Sequence, residues 1–433
     1  MIVLTACSHF LLLTVHALSP STGRFVKGSR GTNALKLKAY RDLEQLGVLS
    51  RVPGSPGTSS RESGDLGSNS LLSVSFDDLT VCLGGSGRAK LFWELLRTGR
   101  DPLGEHRDEG LSMRVRDTIR QYCQQEGDDT LLSTEVGDIS VSDCGTRKFL
   151  QKCRRDGGEI ESVLIPSGKF DRTTLCVSTQ IGCDRACRFC LTGKMGFIRN
   201  LAADEIVSQV VIGRRIVEEN GMPELTNVVF MGQGDAGRNL IEVKRAVEAL
   251  VDRKRLGMSQ SKVTVSSVGP SPETFLDLAS MPGTLAWSLH SPIDEVRKAL
   301  VPSTTHTTVE LRDGLIAALK TRQSLRTRTM MVACTLIDGV NDSANDARDL
   351  AAFIRPMLKV APKVALDLIP YNDIKVEGLT FMPPPPERVK AFTDVLREEG
   401  LFCAVRMPRG REEFSACGML ATATKRERNM QEL

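Results

Sequence analysis

Three cysteines could do chemistry together: Cys183, Cys187 and Cys190, in the run Cys183-Asp-Arg-Ala-Cys187-Arg-Phe-Cys190. Thiolates spaced by three and then two residues can wrap one side of a [4Fe–4S] cube and leave one iron without a protein ligand. That iron can take the amino and carboxylate groups of a methionine. An electron passed into the bound sulfonium of S-adenosyl-L-methionine then breaks the S–C5′ bond and gives an adenosyl radical. Zinc is the plain alternative. Its structural sites favour two Cys-x2-Cys knuckles and four ligands, whereas here no fourth partner lies nearby. The chain has twelve cysteines in 433 residues, four of them between positions 176 and 190. A core of this size needs no disulfide staples, so the clustering favours metal ligation or thiol chemistry in a reducing compartment.

The triad follows a strand candidate, Thr174–Ser178, and from there a strand–helix rhythm sets in. Further strands are expected at Thr226–Met231, Lys262–Ser267, Thr284–Leu289, Thr329–Leu336, Val364–Ile369 and Phe402–Arg406. Ala203–Asn220 carries apolar residues at helical spacing, begins with acids and ends at Gly221. Parallel strands with crossover helices follow, and the number of units predicts an α/β fold: a partial or full (β/α) barrel over residues 173–420. Such barrels hold their chemistry at the C-terminal ends of the strands, where the triad falls. Before it, residues 71–130 read as a small helical domain, with helices suggested around Ala89–Leu96 and Leu111–Tyr122, and residues 131–172 as connecting strands ending in Glu161-Ser-Val-Leu-Ile-Pro. No internal repeat is visible.

A hydrophobic fraction of 41% supports a globular bulk, and Lys+Arg of 57 against Asp+Glu of 53 leaves a net charge of only +4. That balance permits a nucleic-acid partner without demanding one. The N-terminus differs in character. Leu4, Phe10–Leu13 and Val15 form an apolar run too short to span a bilayer, like the h-region of a signal peptide. Ser21–Lys38 is then basic and free of acids, as in an organellar transit peptide, and Arg51–Asn69 reads as linker. Residues 1–70 are therefore read as a targeting peptide with disordered linker, addressed to a plastid (chloroplast) through the secretory route, with the mitochondrion as second choice. The mature form is expected to be a monomer without stable membrane association.

Beyond the triad, several runs in order resemble one family: Arg172-Thr-Thr-Leu-Cys176-Val-Ser-Thr-Gln-Ile-Gly-Cys183, Thr192-Gly-Lys-Met-Gly-Phe197, Asp143-Cys-Gly-Thr-Arg-Lys-Phe149, Asn227-Val-Val-Phe-Met-Gly232, Ser288-Leu-His290, Ile369-Pro-Tyr-Asn372 and Arg409–Leu420. The chain resembles the radical-SAM dual-specificity methyltransferases that modify adenosine C2 in large-subunit ribosomal RNA and tRNA. The resemblance implies a two-SAM reaction. The cysteine matching Cys417 accepts a methyl group from one SAM, and the radical from a second SAM takes hydrogen from that methyl. The resulting methylene adds to adenine C2, which is an electron-poor amidine carbon and no nucleophile. It also implies that Glu161 accepts the C2 proton and that Cys176 releases the product by forming a disulfide with Cys417. Without the resemblance, Cys176 and Cys417 would read as buried structural thiols and Glu161 as a solvated acid.

The same match implies that Gly234, Asp235, Ser266, Ser288, Leu289, His290 and Asn372 contact SAM. Where the family has Gly-Glu-Pro, this chain has Gly234-Asp235-Ala236; aspartate keeps the charge and shortens the reach by one methylene. For RNA, Arg406, Arg409 and Arg411, followed by the basic tail with Lys425, Arg426 and Arg428 in residues 421–433, suit phosphate positioning. Aromatics are only 5%, so wide base-stacking platforms are not expected. An electron donor such as ferredoxin or flavodoxin is implied. Two alternatives stay open: a non-catalytic RNA-binding homologue, and an adenine-C8 methyltransferase.

Overall fold

The computed structural model describes residues 70–104, 110–125, 129–374, 381–406 and 415–420. Residues 1–69 of the expected presequence and linker, Arg409, Arg411 and the tail from 421 lie outside the described residues.

Three short helices come first: α1 (Phe76–Cys82), α2 (Ser86–Arg97) and α3 (Met113–Gln125). Ser75 caps α1, its hydroxyl accepting from the Asp78 amide at 3.1 Å. Ala89, Phe92, Trp93 and Leu96 on α2, and Val115, Ile119 and Cys123 on α3, share their buried faces at helical spacing. These faces join the main core, and Arg215 donates to the Gly99 carbonyl at 3.1 Å to tie the helices to the body of the protein.

Three antiparallel strands follow, β1 (Thr134–Val141), β2 (Arg147–Cys153) and β3 (Glu159–Ser167), and β3 turns back into β4 (Arg172–Cys176). Next come the short strands β5 (Gln180–Gly182) and β6 (Phe197–Asn200), which pair with each other around helix α4 (Leu191–Met195). The remaining elements alternate: α5 (Ala203–Glu219), β7 (Leu225–Phe230), α6 (Leu240–Val251), β8 (Val263–Ser267), α7 (Pro272–Ala279), β9 (Thr284–Ser288), α8 (Asp294–Leu300), α9 (Thr308–Lys320), β10 (Met330–Leu336), α10 (Ala344–Leu358), β11 (Val364–Pro370), α11 (Pro386–Glu398) and β12 (Cys403–Val405).

The main sheet has the order β1-β2-β3-β4-β7-β8-β9-β10-β11-β12, and every pairing from β4 onward is parallel. Among the described residues β12 meets no strand beyond β11, so the sheet is open. Yet Thr174 of β4 and Val405 of β12 line one cavity, so the sheet curls. Of the two forms expected, the open partial barrel is the one formed. Its strands are buried on both faces, as in Val263–Ser267, because helices cover the outside and side chains fill the inside. No helix among the described residues is long and apolar enough to cross a membrane.

Candidate active site

The loop that carries the three cysteines leaves β5 at the C-terminal side of β4, where a curled parallel sheet gathers its strand ends. The Cys183 amide donates to Gly196 O at 2.9 Å, and the Arg185 amide donates back to the Cys183 sulfur at 3.4 Å. Ala186 between them takes φ +52°, a conformation that costs energy for a residue with a Cβ. Cys190 stands at the N-cap of α4. All three cysteines border one cavity. Burial pushes their thiols upward, Cys183 to about 12 and Cys187 well above its ordinary range. Such thiols become thiolates when a cationic group sits among them. No three His, Cys, Asp or Glu side chains among the described residues converge on a single-ion site. Three cysteine thiols around one cavity are the donor set that a [4Fe–4S] cluster would take. The residues present fit the cluster.

The opposite wall of that cavity is built from the ends of β7, β8 and β9 and the loop after β11. Gly234, Asp235, Ser266, Ser288, His290 and Asn372 all border it. The Ser266 and Ser288 hydroxyls meet at 3.1 Å. Gly234 takes φ +96°, and a Cβ there would stand 2.6 Å from the Gln180 side chain. His290 sits at φ +66°, and the Asn341 amide holds its carbonyl at 2.7 Å. Its Nδ1 accepts from the Thr335 amide at 3.2 Å, which assigns the proton to Nε2. Burial, with Arg297 nearby, pushes His290 down to about 3, so its ring is a neutral donor.

Two members of the expected SAM set behave differently. The Leu289 side chain is buried in the main core and does not border the cavity. Its amide donates to Ala333 O at 3.0 Å and its carbonyl accepts from Arg297. Asp235 does border the cavity, but its carboxylate accepts from the Gly237 amide at 2.7 Å and the Val268 amide at 2.9 Å. The shorter side chain ties two loops together instead of reaching outward.

A second cavity adjoins the first. Cys176, Val163, Thr174 and Val405 line it, and Cys190, Thr192, Met231, Asn372, Arg406 and Cys417 border both. The Cys417 loop is bonded directly to the cysteine loop. Leu191 N donates to Gly418 O at 2.7 Å, and the Thr192 hydroxyl donates to Leu420 O at 2.7 Å. Asn372 donates to the Cys417 carbonyl at 3.0 Å, so it also positions that loop. Burial pushes Cys176 up to about 12, and the nearby Cys417 pushes in the same direction. The described cysteines are all free thiols, so the expected Cys176–Cys417 disulfide is not formed here.

Comparison with known proteins decides the family. A dual-specificity RNA methyltransferase RlmN from Sorangium cellulosum is 36% identical over 336 residues, which are 70% of this chain and 82% of that relative. The chain belongs to the dual-specificity RNA methyltransferase family. A probable member from Gloeobacter violaceus is also 36% identical, over 71% of this chain and 83% of its own length. A radical SAM methyltransferase structure from Sphaerobacter thermophilus matches with a TM-score of 0.69 and 31% identity, over 81% of this chain and 98% of that one. No protein-family model matches the chain.

In this member of the dual-specificity methyltransferase family, Glu161 borders neither cavity. It is buried on β3, with Lys148 of β2 at 3.2 Å. It nevertheless shares the strand face of Val163, whose partner in the sheet is Cys176. The residues between Ser167 and Arg172 form the hairpin tip of β3 and β4. Two bordering residues escaped sequence reasoning. Arg185 is paired with Asp184 at 2.9 Å, and Thr335 bonds His290. The only signal for either was its place beside a cysteine motif or at a strand end.

Proposed function

We propose that this chain methylates C2 of an adenine in large-subunit ribosomal RNA, and in tRNA, through a methyl-cysteine and a transient protein–RNA adduct. The observation that carries the reading is the position of Cys417, on the border of both the cavity of the cluster cysteines and the cavity of Cys176. When bound, the [4Fe–4S] cluster and S-adenosylmethionine supply a transferable methyl group and a radical that removes hydrogen. The chain does the rest. Cys183, Cys187 and Cys190 hold the cluster. Gly234, Ser266, Ser288, the His290 Nε2 donor and Asn372 orient the sulfonium compound.

Cys417 accepts the methyl group on its sulfur, and its methylene carbon later bonds to C2. In this reading Glu161 takes the C2 proton, a role that requires Lys148 to release it and the carboxylate to turn into the Cys176 cavity, which it does not border here. The adduct gives up its unpaired electron to a one-electron acceptor as the C2 proton leaves. Cys176, as thiolate, then attacks the Cys417 sulfur, and the S–CH2 bond breaks with its electron pair staying on the carbon. That carbon takes a proton to become the methyl group while the disulfide stays on the protein. The target base must be unstacked to reach this cavity. A ferredoxin- or flavodoxin-type donor is the reductant in this reading, the enzyme works as a monomer, and residues 1–70 direct it to a plastid.

The test is to load the protein with cluster anaerobically, supply SAM, reductant and a large-subunit RNA fragment, and locate the methyl by mass mapping. Methyl at adenine C2 supports the reading. Methyl at C8 favours the adenine-C8 methyltransferase, and RNA binding without any methyl favours the non-catalytic homologue.

A further inference from the structure

Arg406 follows β12 and, from its neighbours Arg409 and Arg411, is expected to reach for phosphate. Its geometry is of another kind. The backbone amide donates to Leu368 O at 2.8 Å. One guanidinium nitrogen pairs with Asp367 of β11, and the other donates to the Cys417 sulfur at 3.5 Å. The side chain is only 30% exposed and borders both cavities. Burial works against its charge, but the Cys417 sulfur and the Asp367 carboxylate hold the guanidinium above its ordinary range. A phosphate-seeking arginine keeps its fork free for solvent and ligand. Here the fork is fixed on one side by a carboxylate, and the other nitrogen donates to the Cys417 sulfur at 3.5 Å and, at 4.0 Å, to the Met231 thioether, which is neutral and a weak acceptor.

We propose that Arg406, locked by Asp367, is a positioning residue for the methylation of Cys417: it holds the sulfur at the junction of the two cavities and stabilises it as the nucleophile. This rests on the reading of Cys417 as the methyl acceptor. In that step the thiol proton leaves to water. The sulfur lone pair forms the new S–CH3 bond, the sulfonium S–CH3 bond breaks, and its electron pair returns to the leaving sulfur as a neutral thioether. The product on Cys417 is itself a neutral thioether and a weak acceptor. The guanidinium therefore holds it less firmly, and the methylated sulfur can turn toward the cavity of Cys176. Arg406 thus serves the first half-reaction and yields for the second.

The experiment uses the cluster-loaded full chain with SAM and no RNA, and reads methyl on Cys417 by peptide mass. Arg406→Met lowers the rate of Cys417 methylation by roughly ten- to a hundredfold, the usual worth of a charge-assisted bond. Arg406→Lys recovers part of the loss, and Asp367→Asn lowers the rate by a smaller factor with the arginine present. Affinity for a transcribed large-subunit RNA hairpin changes by less than about twofold, since no phosphate contact is lost.

Three results would overturn the proposal. Arg406→Met could methylate Cys417 at the wild-type rate while RNA affinity and its salt dependence fall, which is the phosphate role. All three variants could lose cluster absorption alike, which is a purely structural role. Wild-type protein that never carries methyl on Cys417 removes the underlying reading and this proposal with it, and that outcome is visible before any variant is compared.

Discussion

Replacing Gly234 by alanine perturbs the SAM wall at one atom. The added Cβ meets two costs. At φ +96° an L residue is strained by roughly 1–2 kcal/mol. The Cβ would also lie 2.6 Å from the Gln180 side chain and 2.8 Å from the Thr179 hydroxyl. Gln180 cannot step aside freely, because it accepts from the Asp235 amide at 3.0 Å and donates to Asn200 at 2.8 Å. Losing those two bonds costs about 1 kcal/mol each, so the substitution should cost about 3–4 kcal/mol in all. Gly400→Ala is the matched control: φ is +75° there, but nothing lies within 4 Å of the new Cβ, so only the strain remains. The assay is equilibrium unfolding in urea of both variants beside the parent, with SAM binding by equilibrium dialysis. Gly234→Ala should unfold at clearly lower urea than Gly400→Ala and lose SAM affinity, while Gly400→Ala keeps it. Equal unfolding midpoints and equal SAM affinity would refute the claim that Gly234 is a close-packed cradle.

Cys187→Ala should abolish the charge-transfer absorption of the reconstituted cluster, and a colourless parent protein holding stoichiometric zinc would contradict the cluster. His290 lies at about 3 in the folded protein against an ordinary 6.5. Between those values the unfolded chain binds a proton that the folded one refuses, so this contribution to stability is full above about pH 6.5 and is lost as pH falls, by about 1.4 kcal/mol per pH unit. His290→Asn, a residue tolerated at positive φ, should flatten the acid limb of stability between about pH 6 and 4 by up to that slope; an unchanged limb would show that His290 titrates normally. Residues 1–70 fused to a fluorescent protein should enter a plastid, and cytosolic fluorescence would reject the targeting role.

The parallel strands were legible because burial on both faces writes an apolar run into the sequence, as in Met330–Leu336. The cysteine triad was legible because its ligand spacing is local. Less was visible of β5 and β6: Gln180–Gly182 is too short to alternate, and Phe197 and Ile198 are exposed, so neither strand advertises a buried face. The inward turn of Arg406 depends on Asp367, 39 residues earlier on a neighbouring strand, and a cluster of arginines in sequence points outward by default. Leu289 and Asp235 differ from expectation for a related reason. A motif marks the backbone that approaches a ligand, but Arg297 and the amides of Gly237 and Val268 decide which atoms remain free.

The most direct test of the central claim is to look for a covalent protein–RNA adduct in cluster-loaded Cys176→Ala. Methylation of Cys417 and addition of its methylene to adenine need no second thiol, but release does. The account predicts that protein bound to RNA accumulates, survives denaturant, disappears with ribonuclease, and is absent when Cys417 is also replaced by alanine. A folded, cluster-loaded Cys176→Ala protein that releases methylated RNA at the parent rate would contradict it.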